Sequence, residues 1–273
     1  LDSVEFLDPR TGVALRRLSN GMRVTFKRTP FEGGQVLICL HVPGGFAADL
    51  LHPPGATSLG LTTMMDSGCG RFSAEAVERY CAEWGVSVQD SVGPEQMQIH
   101  VGFCADDPER VLRAFEILRM TVGAPKFEPG ALERAKRDHR LQYAERMRSI
   151  EDRCHNEIFR RLCDPPDRRF FDTTPEQAAD LTPQDVEKAV MWHLTPDKME
   201  VIVVGDFGPA VVSHAILDYL GTLPRPSPPP HPSAIDALRG CFNLSLALGR
   251  GGGDGGGDRG EQRRESSAWV VDD

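Results

Sequence analysis

No run of 18 apolar residues occurs in this 273-residue chain, so no segment is suited to cross a bilayer as a helix. The acidic first residues lack a basic stretch followed by an apolar one, which argues against a secretory signal or an Arg-rich transit peptide. An initiator Met is also missing, so the chain is expected to be a piece of a longer protein whose address lies elsewhere. Cysteines are odd in number and scattered (Cys39, Cys69, Cys81, Cys104, Cys154, Cys163, Cys241), with no C-x-x-C pair. That pattern excludes a disulfide framework or zinc ribbon and implies free thiols in a reducing compartment, organellar or cytoplasmic. Excess positive charge is absent too. The net charge of −9 disfavours nucleic acid or an anionic membrane as partner. No phosphate-binding glycine motif lies between a strand and a helix. The eight histidines (His41, His52, His100, His139, His155, His193, His214, His231) include no pair three or four residues apart, the spacing of helical zinc ligands. His139 and His155, with Glu145, Glu151 and Glu157 nearby, read as solvated helix faces more readily than as a metal site.

What is present is enough for a core, with 40% of residues hydrophobic. Residues 13–18 and 22–27 read as strands around an Asn20-Gly21 turn, the strongest short hairpin signal. Residues 35–42 are more continuously apolar and so predict a central strand. A loop over 49–55 leads into a helix through Leu59 to Met65. Ser73 then caps a second helix, which places Ala76, Val77, Tyr80, Cys81 and Trp84 on one face and stops at Gly85. Strands follow at 86–90 and 96–103. Asp107-Pro108 opens an amphipathic helix, 129–148 a long charged one, and Ile150 to Leu162 another. Thr174-Pro175 and Thr182-Pro183 open two more helices with capping-box chemistry. A last strand at 199–204 precedes a helix over 209–220. This order predicts an α+β fold, a two-layer α/β sandwich on a mixed, largely antiparallel sheet.

Composition divides the chain into an ordered module, 1–226, a Pro-rich linker, 227–249, and a Gly-rich tail, 250–273, unable to bury enough apolar area to order itself. Within the linker, residues 241–248 are strand-like and read as the start of a truncated next module.

Five segments occur in the order of one known family. They are Leu18 to Val24 with its Asn-Gly turn, the strand ending in Gly44-Gly45, and Gly68 followed by Ser73-Ala74-Glu75. Then come Trp84-Gly85 leading into Val86 to Val88, and Met199 to Phe207 with its Val-Gly-Asp. In this the chain resembles the pitrilysin/insulinase-type metallopeptidases, which include the mitochondrial processing peptidase. Lys27 to Glu32 and Asp167 to Phe170 look most like the third of four modules in large members. Active modules carry His-x-x-Glu-His on the helix aligned here with 56–68. With Met64 and Gly68 on their counterparts, the two histidine positions fall on Leu59 and Thr63 and the glutamate on Thr62. None of these binds zinc as an imidazole does or acts as a general base. A third ligand, a glutamate on a later helix, matches the stretch from His139 to Gln142, which holds none. The resemblance therefore implies a module with no catalytic residue, metal or cofactor of its own. Zinc is expected in a partner or upstream module, and the role is to complete a chamber for unfolded peptides, held as an added strand at the sheet edge. The alternative is an assembly subunit without a peptidase role, like the family's core subunits of respiratory complexes.

Overall fold

The computed structural model describes residues 3–162 and 173–224. Contacts divide the chain into Leu1–Pro226 and Ser227–Asp273, and only the first unit contains described residues. The expectations for 163–172, for the linker and for the tail lie outside them.

Seven strands form one sheet: β1 (Ser3–Leu7), β2 (Ala14–Arg17), β3 (Arg23–Arg28), β4 (Gln35–Pro43), β5 (Ser87–Val92), β6 (Gln96–Cys104) and β7 (Glu200–Gly205). Their order is β1-β2-β3-β7-β4-β6-β5. Only β3 and β7 pair in parallel, so the sheet is mixed and largely antiparallel, as the element order implies. The helices are α1 (Ala56–Met65), α2 (Ala74–Trp84), α3 (Pro108–Gly123), α4 (Pro129–Arg148), α5 (Ile150–Leu162), α6 (Pro175–Ala179), α7 (Pro183–Met191) and α8 (Pro209–Ala215). A 3₁₀ turn, Gly45–Leu50, precedes α1.

Alternation along the strands fixes which face is dry. Val36, Ile38, Leu40 and Val42 of β4 join Met97, Ile99, Val101 and Phe103 of β6 and Val201 and Val203 of β7 in the core. Helical residues Val111, Phe115 and Leu118 of α3 and Val212 and Ala215 of α8 cover that face. A second cluster joins Ala56 and Leu59 of α1 to Leu132 of α4 and to Val186 and Ala189 of α7.

The expected caps form. The Ser73 hydroxyl accepts from the Ala76 N–H, Asp107 accepts from Glu109, and Thr174 and Thr182 close full capping boxes. Asn20 does more than turn the hairpin: it is buried, and its amide donates to Leu220 O at 2.8 Å, tying the turn to the end of the domain.

The structure adds three details to these expectations. A strand, β1, precedes the hairpin and pairs with β2 through a bulge; five residues, Ser3–Leu7, are too short a run to give a periodicity strong enough to read. β4 is central, but its other face is open, with Leu37 46% exposed, so its apolar run does not mark two covered faces. The final helix widens its hydrogen bonding at Ile216–Leu220, a right-handed π turn in which Gly221 N–H reaches Ile216 O, five residues back.

Candidate functional site

The helix aligned with the family's zinc helix is α1, and its sequence reads as a core element. Of its ten residues, Ala56, Thr57, Leu59, Gly60, Leu61, Thr63 and Met64 are buried. Gly60 faces α7 so closely that a Cβ would stand 2.8 Å from Val190 Cγ2 and 2.9 Å from Val186 O. The polar side chains turn back on the protein itself. Thr63 Oγ1 donates to Leu59 O at 2.6 Å, and Ser67 Oγ donates to Thr63 O at 2.6 Å while accepting the Glu128 N–H at 2.9 Å. Asp49 anchors the other end of α1, accepting from Gly55 N (2.7 Å), Thr57 N (3.1 Å) and Thr57 Oγ1 (2.6 Å).

A cleft of about 280 Å³ opens beside this helix. Ser58, Leu59 and Thr62 of α1 form one wall, Asp90 to Val92 of β5 a second, and Asp138, His139, Gln142 and Arg146 of α4 a third, with Asp49 and Thr173 completing it. Burial pushes the Asp90 carboxyl above the usual range and the Asp66 charge adds to this, while the Thr62 hydroxyl works against it. Burial likewise raises Asp49, opposed by the Thr57 hydroxyl and the Gly55 and Thr57 N–H groups.

The structure thus brings Leu59 and Thr62 together with His139 and Gln142, far apart in sequence, and leaves Thr63 out of the cleft, fully buried. His155 lies on the exposed surface of α5 and is not among the residues that line this cleft. Arg146, near the end of α4, also lines the cleft. Sequence reasoning missed Asp49, Asp90 and Thr173, which no local motif marks; only the fold carries them to α1.

The residues here do not fit a zinc ion. Leu59 offers no donor and packs in the apolar cluster, the Thr63 hydroxyl is spent on its own helix, and His139 Nε2 lies 3.0 Å from Thr173 O. Among the described residues no group of three His, Cys, Asp or Glu side chains is assembled to hold a metal ion. What the cleft offers is hydrogen-bonding groups of both signs beside an edge strand, suited to holding a polar chain and without a base placed on a metal-bound water.

Comparison with known proteins agrees. The family model described as the Peptidase M16 inactive domain matches residues 180–242. The chloroplastic stromal processing peptidase of Oryza sativa subsp. indica is 32% identical over 224 residues, 82% of this chain, and that of Arabidopsis thaliana is 31% identical over 79% of it. The chain spans less than a fifth of these relatives, 18% of the rice protein and 17% of the Arabidopsis one. A peptidase M16 inactive domain from Pseudomonas fluorescens shares the fold at a TM-score of 0.69 and 16% identity, over 80% of this chain and 52% of that one. No helix among the described residues is long and apolar enough to cross a membrane. From its ordered motifs, its sheet and these matches, the chain belongs to the pitrilysin/insulinase-type (M16) metallopeptidase family, as an inactive domain of that family.

Proposed function

We propose that this chain is a non-catalytic module that completes a peptide-binding chamber and works with a zinc-bearing half of the same family. The observation that carries this reading is α1: at the chemical positions Leu59 packs in the apolar cluster, the Thr63 hydroxyl bonds within its own helix, and Thr62 faces the cleft beside Asp90. The helix keeps its place beside β5, the edge strand of the sheet, whose outer side has no partner strand among the described residues. An unfolded peptide binds there as an added strand, its polar groups facing the cleft between α1 and α4. Residues 1–226 are the proposed module, with 227–249 a linker and 250–273 a tail. Because the named plant relatives are stromal processing peptidases, a plastid stroma is the proposed compartment, and an assembly role without proteolysis is the weaker reading.

The test uses the full chain with an unfolded fluorogenic peptide, alone and with a polypeptide of the same source carrying His-x-x-Glu-His. The chain alone binds the peptide without cleaving it, and the mixture forms a complex that cleaves. Chelator-sensitive cleavage by the chain alone, or failure of the two polypeptides to associate, overturns the proposal.

A further inference from the structure

The cleft at α1 is one of two cavities that meet on β5. The second, of about 670 Å³, lies between α2, the end of α1 and the first half of β5. Val77 and Cys81 of α2, Met64 and Met65 of α1 and Val88 of β5 give it apolar walls. It reaches the surface at Glu78, Ala82 and Gln89, which are exposed. Asp90 lines both cavities.

The packing of α2 shows the same space from the other side. The helix is amphipathic, yet none of its eleven residues is buried. Tyr80 and Trp84 lean on α3: the Tyr80 hydroxyl donates to Glu116 Oε2 at 2.7 Å, and the Arg113 guanidinium lies 5.1 Å from the centre of the Trp84 ring. Val77 and Cys81, on the same apolar side, are left facing the cavity. The core does not fill this surface, so a guest can.

Strand alternation says which guest. Val88, Asp90 and Val92 are half-buried and pair with the β6 core residues Val101, Ile99 and Met97, while Ser87, Gln89 and Ser91 are exposed. A strand added on the outer side of β5 sets every second side chain on the helix-covered face, opposite Val88, Asp90 and Val92 and roughly 6.6 Å apart. The side chain beside Val88 meets the apolar cavity, and the one beside Val92 meets the cleft at α1. The cavity has an acidic rim of Asp66, Glu78 and Asp90, with Arg134 the one cation among the described residues that line it. Its Nη2 is engaged by Asp66 O at 3.1 Å.

We propose that this cavity is a side-chain pocket of the β5 edge. Of a peptide bound there as an added strand, it selects the residue opposite Val88, favouring a large apolar side chain and rejecting an acidic one. The inference rests on the strand-addition reading of β5. A cavity in the size range of small-molecule pockets sets no upper limit on the guest, so affinity rises from Ala to Leu to Phe.

The test is fluorescence anisotropy with the full chain and a labelled, unfolded peptide rich in Ser and Thr, carrying Ala, Leu, Phe or Glu at one central position. Phe is expected to bind about tenfold tighter than Ala, with Leu between them and Glu weaker than Ala. In Val77→Trp, which fills the cavity from α2, the Phe peptide should bind no tighter than the Ala peptide. Cys81→Met narrows the same space and makes the same test if circular dichroism shows that Val77→Trp does not fold. Equal affinity for Ala, Leu and Phe, or a preference for Phe that survives in the folded variant, overturns the pocket and leaves strand addition standing. If no peptide of the series binds, strand addition at β5 fails and the pocket fails with it.

Discussion

Acidification is expected to weaken this domain through His193, and the size of the effect follows from where the ring sits. His193 lies in the turn after α7, and its ring packs so closely on the end of β4 that a Cβ at Gly44 would stand 3.1 Å from it. Its Nε2 is buried with no hydrogen-bond partner. Burial, then the charges of Lys198 and His52, lower its pKa from 6.5 to about 4. The folded state therefore resists a proton that the unfolded state accepts. Stability is fully present above about pH 6.5 and is lost as pH falls toward 4, below which this group contributes no further slope. A shift of about 2.5 units at 1.36 kcal/mol each amounts to roughly 3 kcal/mol, a large part of a typical domain's stability. His52 shifts in the same direction, chiefly by burial. The raised carboxyls of Asp49 and Asp90 act oppositely, gaining stability as pH falls. Urea unfolding of the full chain and of His193→Gln at several pH values from 7.5 to 4.5 isolates the term. The wild type should lose stability relative to the variant across that range. Parallel curves for the two proteins would refute the reasoning.

Two further outcomes are expected. Gly60→Ala drives a Cβ into Val190 and the Val186 carbonyl and should cost about 1–3 kcal/mol in urea unfolding, although alanine is the better helix former. Asp49→Ala leaves the buried Gly55 and Thr57 donors without their acceptor, so a loss of roughly 2–4 kcal/mol is expected, with hydrogen exchange rising first at the start of α1. Protection unchanged at Gly55 to Thr57 would count against that role.

The local signals were legible because their physics is local. Ser73, Asp107, Thr174 and Thr182 each satisfy helix N–H groups a few residues away, and Asn20-Gly21 fixes its hairpin wherever the strands go. The site was legible only in part. Leu59 and Thr62 could be singled out by the motif that they fail to match, but Asp49, Asp90 and Thr173 reach the cleft through tertiary packing. The histidines show the same limit. A search for ligands three or four apart tests helices alone, and only the β4–β6 register sets His100 opposite Cys39 and His41 opposite Gln98. In α5 the helical spacing was right and Ile150 and Leu162 are nonetheless 85% and 78% exposed, since spacing reports a face and not what covers it.

The place of β7 has a consequence for how the molecule is made. It lies between β3 and β4, joined to the first in parallel and to the second in antiparallel fashion. The early groups β1–β2–β3 and β4–β6–β5 have no seam with each other until Glu200–Gly205 arrives. During synthesis the two halves of the sheet must wait, each with an unzipped edge, until β7, which follows β6 only after α3 to α7, has left the ribosome. Such late, non-local closure is slow and leaves strand edges open to wrong partners.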